Sequence, residues 1–414
     1  MESMTSRERV VLSLKHEEPD IMPIDFGSTR STGINAIVYN QLKSFLEINT
    51  GKTRVYDVKQ LLAEPEKEIL ERFGGDVVQL HRLKPSIGLK IDRWKPWRLM
   101  DGSDCEVPEA FNPLIMEDGS EGILNPEGKV VASRPKDGLY FDEIYPPLES
   151  AESFEDIDNF DMPVIGEEEL EYLEKRSQEL FHNTDYAIQA TAGISIFEKG
   201  LKDFGYENFL IKMHTERELV EYYLEKLTDA YLNLLDKYIN AAGKYIQIIQ
   251  LSDDLGMQNS TIIPPGLYRS LFKPYHKKIC DFIKSKNKDL FIMIHSCGSI
   301  YDLIPDLIEA GIQIINPVQI NAANMDPVTL KREFGKNLSF WGGGCSTQTT
   351  LSFGTVKDVV KETEEMIRIF APGGGYVFNQ VHNIQTGVSP EKIVALYDTA
   401  LGLRKYPIQR GGQK

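Results

Sequence analysis

Cysteine is scarce in this chain: Cys105, Cys280, Cys297 and Cys345 are the only four in 414 residues. So few thiols over such a length do not make a disulfide framework, and a reducing, cytoplasmic compartment suits them. Long apolar runs are also missing. No uninterrupted stretch approaches the ~18 residues of a membrane span, and the start, MESMTSRERVVLSLKHEEPD, is charged and amphipathic without the apolar centre of a secretory signal. No basic strip offsets the net charge of −16, which argues against sequence-independent nucleic-acid binding. No G-x-G-x-x-G follows the first predicted strand, so nothing recommends a doubly wound dinucleotide-binding sheet. The expectation is a cytoplasmic protein with neither nucleic acid nor membrane as partner, and with self-association into a homo-oligomer left open.

What is present suits a large enzyme. Hydrophobic content of 41% and charged content of 26% are those of a globular chain. The length exceeds the ~250–300 residues of a usual single core, but α/β barrels with insertions reach it. Short apolar runs alternate with amphipathic stretches. An opening helix (about 5–16) precedes a predicted strand at 21–27, a helix at 34–46, a second helix at 63–74 and a strand at 76–83. Further strands are predicted at 186–192, 245–254, 290–296, 312–319, 338–344 and 376–383, with helices such as 218–243 and 265–286 between them. Eight strands, each trailed by a helix or a long excursion, are the count of a closed (β/α)₈ TIM barrel, whose active site lies at the strands' C-terminal ends. We read residues 1–414 as one such barrel. Within it, 85–165 breaks the alternation: WRLMDGSDCEV, LIMEDGSEGIL and GKVVASRP alternate apolar and polar residues around DGS and PEG turns. That pattern predicts an antiparallel β-meander inserted after the second strand, either covering the mouth or standing as a solvated embellishment.

The densest chemistry lies at two predicted strand ends. In LFIMIHSCGS, His295 and Cys297 are two apart, so both side chains leave an extended chain on the same side. In NLSFWGGGCST, Cys345 follows three glycines at the end of another strand. Each of these taken singly is more often a core residue. Together, one imidazole and two thiolates make a three-ligand Zn²⁺ set with an open fourth position, the count of a catalytic zinc. Glu198 is either the fourth ligand of a substrate-free state or an exposed helix residue. Asp253 and Asp254, after the fourth strand, are candidates to orient His295, to lie near the metal, to accept a proton or to cap the next helix. Asn379, His382 and Gln385 at the eighth strand's end face a ligand if the barrel closes, with His382 either a catalytic group holding substrate oxygen or one paired with the backbone. Gln319 and Gln348 occupy comparable substrate-binding places. The glycines of WGGGC face the mouth, where many barrels hold phosphate, but a thiol directly after them fits close approach to a metal better.

The start MTSRERVVLSLKHEEPDIMPIDFG, the HSCG at the fifth strand, the GGGC at the seventh and VSPEKIVALYDTA near the C-terminus resemble the uroporphyrinogen decarboxylase superfamily over essentially the whole chain. The His-x-Cys and the later Cys are similar to its zinc-dependent corrinoid methyltransferase branch. That resemblance implies a (β/α)₈ barrel, zinc on His295, Cys297 and Cys345, a corrinoid (cobalamin) supplied by a partner corrinoid protein, and a small methylated substrate, such as an aromatic methyl ether, or a thiol. No D-x-H-x-x-G cobalamin pattern occurs, so the corrinoid must arrive free or on that partner. Decarboxylating members carry an arginine-rich loop after the first strand; here DFGSTRSTG offers Arg30 alone. Methyl transfer is therefore the expected activity, with a uroporphyrinogen-type decarboxylase or a non-catalytic metal- or cobamide-binding protein as the alternatives.

Overall fold

The computed structural model describes residues 4–409 except 126, 127 and 137, so Pro126 and Glu127 of the predicted PEG turn lie outside the described residues. Strands β1 (Val55–Asp57) and β2 (Leu62–Ala63) form a small antiparallel pair, and β3 (Val77–Leu80) opens the main sheet. Between β3 and the next parallel strand the chain makes a hairpin, β4 (Trp94–Arg98) with β5 (Asp104–Pro108). A four-stranded antiparallel sheet of β6 (Leu114–Ile115), β7 (Glu121–Leu124), β8 (Val130–Arg134) and β9 (Asp142–Glu143) follows. The main sheet continues with β10 (Ala187–Ser195), β11 (Ile248–Ser252), β12 (Phe291–His295), β13 (Ile314–Asn316), β14 (Ser339–Trp341) and β15 (Tyr376–Val377). Its order, β15-β14-β13-β12-β11-β10-β3, is chain order throughout, and every pairing is parallel. This is an α/β protein whose helices carry the chain from the end of one strand back to the start of the next.

The predicted strand at 21–27 appears only as single-residue bridges. Phe378 N–H donates to Pro23 C=O (2.9 Å) and Asp25 N–H to Phe378 C=O (2.8 Å), while Asp76 N–H donates to Ile24 C=O (2.7 Å). Ile24 thus touches both edge strands of the sheet. The ladder cannot lengthen because Pro23 has no N–H to give, and the Ile24 N–H is taken by the Asp76 side chain (3.0 Å). The predicted helix at 265–286 is two helices, Pro265–Leu271 and Lys273–Lys286. Pro274 deprives the Ser270 carbonyl of its helical donor, and Arg217 Nη2 takes that role at 3.2 Å.

The concave face of the sheet is plugged at its lower end. The N-terminal helix Ser6–Leu14, started by a reciprocal Thr5–Glu8 capping box, sets Val10 and Leu14 against Val77, Ala187, Ile248, Met293, Ile314, Trp341 and Val377. Each such fully buried aliphatic side chain contributes about 1.5–3 kcal/mol. Arg9 ties the helix down through Asp76 (2.6 Å) and Asp20 (2.8 Å). Because side chains alternate along a strand, the residues two beyond this plug point into the same space from above.

Candidate metal centre

His295 ends β12, and Cys297 follows in the loop after it. Their side chains meet, with Cys297 Sγ 3.5 Å from His295 Nε2. His382, in the loop after β15, completes the group: one ligand atom from each of His295, Cys297 and His382 lies within 4.8 Å of the others, and the two imidazole centroids are 6.0 Å apart. The turn that aims Cys297 depends on Gly298. Its φ is +83°, and a Cβ there would sit 2.5–2.6 Å from backbone atoms of Gly256 and Met257, which cannot yield as a flexible side chain would.

Both histidines are held by asparagine amides. Asn316, fully buried, donates from Nδ2 to the Trp341 carbonyl (3.0 Å), so its Oδ1 is the acceptor that faces His295 Nδ1 (2.8 Å) and Ser31 Oγ (2.6 Å). Asn383 donates from Nδ2 to Gln60 Oε1 (2.7 Å) and accepts at Oδ1 from His382 Nδ1 (2.9 Å) and Gln385 Nε2 (2.5 Å). In each imidazole Nδ1 therefore donates to its asparagine, and Nε2 is the ring nitrogen left for the shared space. Burial, and then the neighbouring His295, lower the His382 pKa to about 4, so that ring is neutral at physiological pH.

The surroundings are acidic. Asp254 Oδ1 accepts the Cys297 backbone N–H (2.7 Å) and lies 3.7 Å from His295 Nε2. Burial, and then the charge of Asp254, raise the Glu198 carboxyl pKa. Burial followed by the Asp254 and Glu198 charges pushes the Cys297 thiol well above the ordinary range. Burial is the larger cause of both shifts, and the neighbouring carboxylates add to it. Two imidazole Nε2 atoms, a thiol and two nearby carboxylates fit a divalent cation, which would convert Cys297 to its thiolate.

The other predicted residues divide. The Cys345 thiol is fully buried outside this ligand group, where burial and then Glu362 raise its pKa. Its backbone is nonetheless adjacent, since Cys345 C=O accepts from Val381 N–H (2.9 Å), one residue before His382. Asp253 does not face the group: it accepts the backbone N–H of Ile196 (2.9 Å) and Glu198 (2.8 Å) and His276 Nε2 (2.7 Å), anchoring the segment that carries Glu198. Gln319 holds the Gly298 N–H (2.8 Å) and reaches Gln258 (3.0 Å) and Gln348 (3.3 Å), so Gln319 and Gln348 brace the Cys297 loop. Gln385 braces Asn383. Asn379 alone is fully buried with neither amide atom partnered.

Sequence reasoning passed over Asn316, Asn383 and Tyr140. Tyr140, between β8 and β9, brings its hydroxyl to Asn383 and lies within electrostatic reach of Cys297; burial is the first cause of its raised pKa. A signal for Asn316 was present: VVQ, AIQ, IIQ, IIN and VFN recur along five of the strand segments, each placing an amide two residues past an apolar one, whereas Asn383 falls outside that pattern. The sequence pattern described as Uroporphyrinogen decarboxylase (URO-D) matches residues 153–402, more than half of the chain. The chain belongs to the uroporphyrinogen decarboxylase family. No curated protein shows a significant match to its sequence. Among solved structures, xylanase 10B from Thermotoga maritima is similar at 12% identity, over 57% of this chain and 78% of that one, with a TM-score of 0.34. A β-1,4-mannanase from the sea hare Aplysia kurodai is similar at 11% identity, over 64% and 80%, with a TM-score of 0.35. Likeness at these scores is no guide to what this member of the uroporphyrinogen decarboxylase family does. No helix among its described residues is long and apolar enough to cross a membrane.

Proposed function

We propose that this member of the uroporphyrinogen decarboxylase family is a zinc-dependent methyltransferase that moves a methyl group between a small methylated compound or thiol and the cobalt of a corrinoid carried by a second, corrinoid-binding protein. The observation that carries the reading is the convergence of His295, Cys297 and His382, with both imidazoles fixed by asparagines so that Nε2 faces the shared space. Zinc bound there would supply Lewis acidity, either to hold a thiol as thiolate or to polarise the oxygen of a methyl ether. Glu198 and Asp254 keep the pocket anionic and favour the cation. Cys345 is the remaining candidate ligand, and metal retention in Cys345→Ala and His382→Ala tells which of the two completes the set. We read the whole as a single (β/α)₈ barrel. Ile24 joins its two edge strands, and the antiparallel sheets of residues 94–143 are an insertion whose Tyr140 reaches the mouth.

Decarboxylation of an acidic tetrapyrrole is the second reading, favoured by the family's own description. It needs cations for several carboxylates. Arg30, the one arginine of the loop after the first strand position, is bound to the buried Asp57 and to the Pro85 carbonyl (2.8 Å). The test is direct. Purified protein mixed with Co(I) corrinoid and a methyl ether such as 4-methoxyphenol or anisole should give the methyl-Co(III) spectrum, and His295→Ala should abolish it. Release of CO₂ from a porphyrinogen by metal-stripped protein would decide for the second reading instead.

A further inference from the structure

Five amide side chains stand two residues beyond the apolar plug: Gln79 after Val77, Gln189 after Ala187, Gln250 after Ile248, Asn316 after Ile314 and Asn379 after Val377. The strand period turns them toward the same space as His295, which follows Met293 in the same way. Their hydrogen bonds leave a remainder weighted toward acceptors. Gln189 Nε2 is given to Gln250 Oε1 (2.8 Å) and Gln79 Nε2 to Thr191 Oγ1 (3.3 Å), while Oε1 of both Gln79 and Gln189 has no partner. Asn379, fully buried, has both amide atoms unpartnered. Buried carbonyl oxygens left without donors are costly, so a molecule that settles on them gains by bringing O–H or N–H groups.

The cations nearby are already committed. Arg30 is held by Asp57, and Arg82 is held by Glu169 (2.5 and 2.9 Å) and donates to the Ala192 carbonyl (2.8 Å). A carboxylate placed on this floor would meet three unpaired carbonyl oxygens, Asp254 and Glu198, with the Asn379 amide N–H as the one unpartnered donor among these side chains and both guanidinium groups already held.

We infer that the amide floor selects a neutral substrate bearing a hydroxyl group, and that it rejects carboxylated methyl donors. This rests on the methyltransferase reading above and names its substrate class. Gln79, Gln189 and Asn379 are the specificity-determining residues, with Gln250 and Thr191 holding the glutamine amides in orientation.

The test is equilibrium binding of three probes to the full-length, zinc-loaded protein by calorimetry: 4-methoxyphenol, anisole and 4-methoxybenzoate. The phenol should bind about tenfold more tightly than anisole, the worth of one hydrogen bond to a buried amide, and 4-methoxybenzoate more weakly than either. Gln189→Leu should bring 4-methoxyphenol to the level of anisole. Asn379→Leu, which breaks no hydrogen bond to another side chain, should do so in part and serves if Gln189→Leu does not fold. Equal binding of phenol and anisole, binding of neither, or preference for the benzoate overturns the inference. Methyl-cobalt formation read in the same samples keeps the two ideas apart. Methylation of cobalt from anisole and 4-methoxyphenol with equal affinity retains the methyltransferase and removes the floor's role. Hydroxyl-dependent binding without methyl-cobalt does the reverse.

Discussion

Asn316 is the most informative residue to change, because it holds a proposed ligand without being one. It is fully buried and makes three hydrogen bonds, to His295 Nδ1 (2.8 Å), Ser31 Oγ (2.6 Å) and the Trp341 carbonyl (3.0 Å). Replacing it by alanine frees the His295 ring to rotate and to change tautomer, and leaves up to three buried polar groups short of a partner. Loss of such a bracing partner typically lowers metal affinity by about 10–100-fold, or roughly 1.4–2.8 kcal/mol. Each unpaired buried group costs a further ~1–3 kcal/mol of fold stability, less where water enters the space left behind. Zinc affinity is measured by competition with a chromophoric chelator, and stability by denaturant unfolding of the metal-free protein. The two readouts separate local disorder of the ligand from global weakening. Asn316→Asp, which keeps the acceptor for His295, should recover much of the zinc affinity. An Asn316→Ala protein that folds and binds zinc as tightly as the parent would refute the claim that His295 needs its amide partner to serve as a ligand.

The other expectations can be checked on the same material. Elemental analysis should find about one zinc per chain, lost in His295→Ala and Cys297→Ala; retention in either would remove that residue from the site. Gly298→Ala should destabilise the fold by more than about 3 kcal/mol and abolish metal binding, since its Cβ meets backbone in a left-handed turn; thermal melts near the parent's would count against the geometry. Asp253→Ala removes the acceptor of two backbone N–H groups and His276, and should cost about 3–5 kcal/mol while disturbing Glu198; a loss below 1 kcal/mol would contradict the anchoring role. Asp25 is fully buried, and burial raises its pKa despite hydrogen bonds from Trp341 and Ser28. Its folded state therefore holds the proton to higher pH than the unfolded chain, so its contribution falls as pH rises from about 4 through the folded pKa. Asp25→Asn should accordingly gain on the parent as pH rises; a stability difference that does not change with pH would sink the assignment.

How much was legible beforehand depends on the range of the interaction involved. The alternation of apolar runs with amphipathic stretches placed seven of the eight strands, since burial on both faces writes a continuous apolar run at each one. The segment at 21–27 has the same apolar character, but Pro23 and the competing Asp76 carboxylate reduce it to bridges, and that competition involves a residue some fifty positions away. His295 and Cys297 were legible as a pair because a two-residue spacing on an extended chain is a local fact. The third member was not. Cys345 and His382 both stand at strand ends, and only the path of the loops after β14 and β15 turns the His382 imidazole, not the Cys345 thiol, into the group that His295 and Cys297 form. Asp253 and Asp254 are neighbours in sequence whose side chains take different partners, one anchoring a buried helix start and one facing Cys297 and His295. The sequence by itself determined which strand ends carry chemistry, because periodicity and composition act over a few residues. Which of those ends face one another, and which asparagine steadies which histidine, depended on curling seven strands around one apolar plug, and only the tertiary structure decided it.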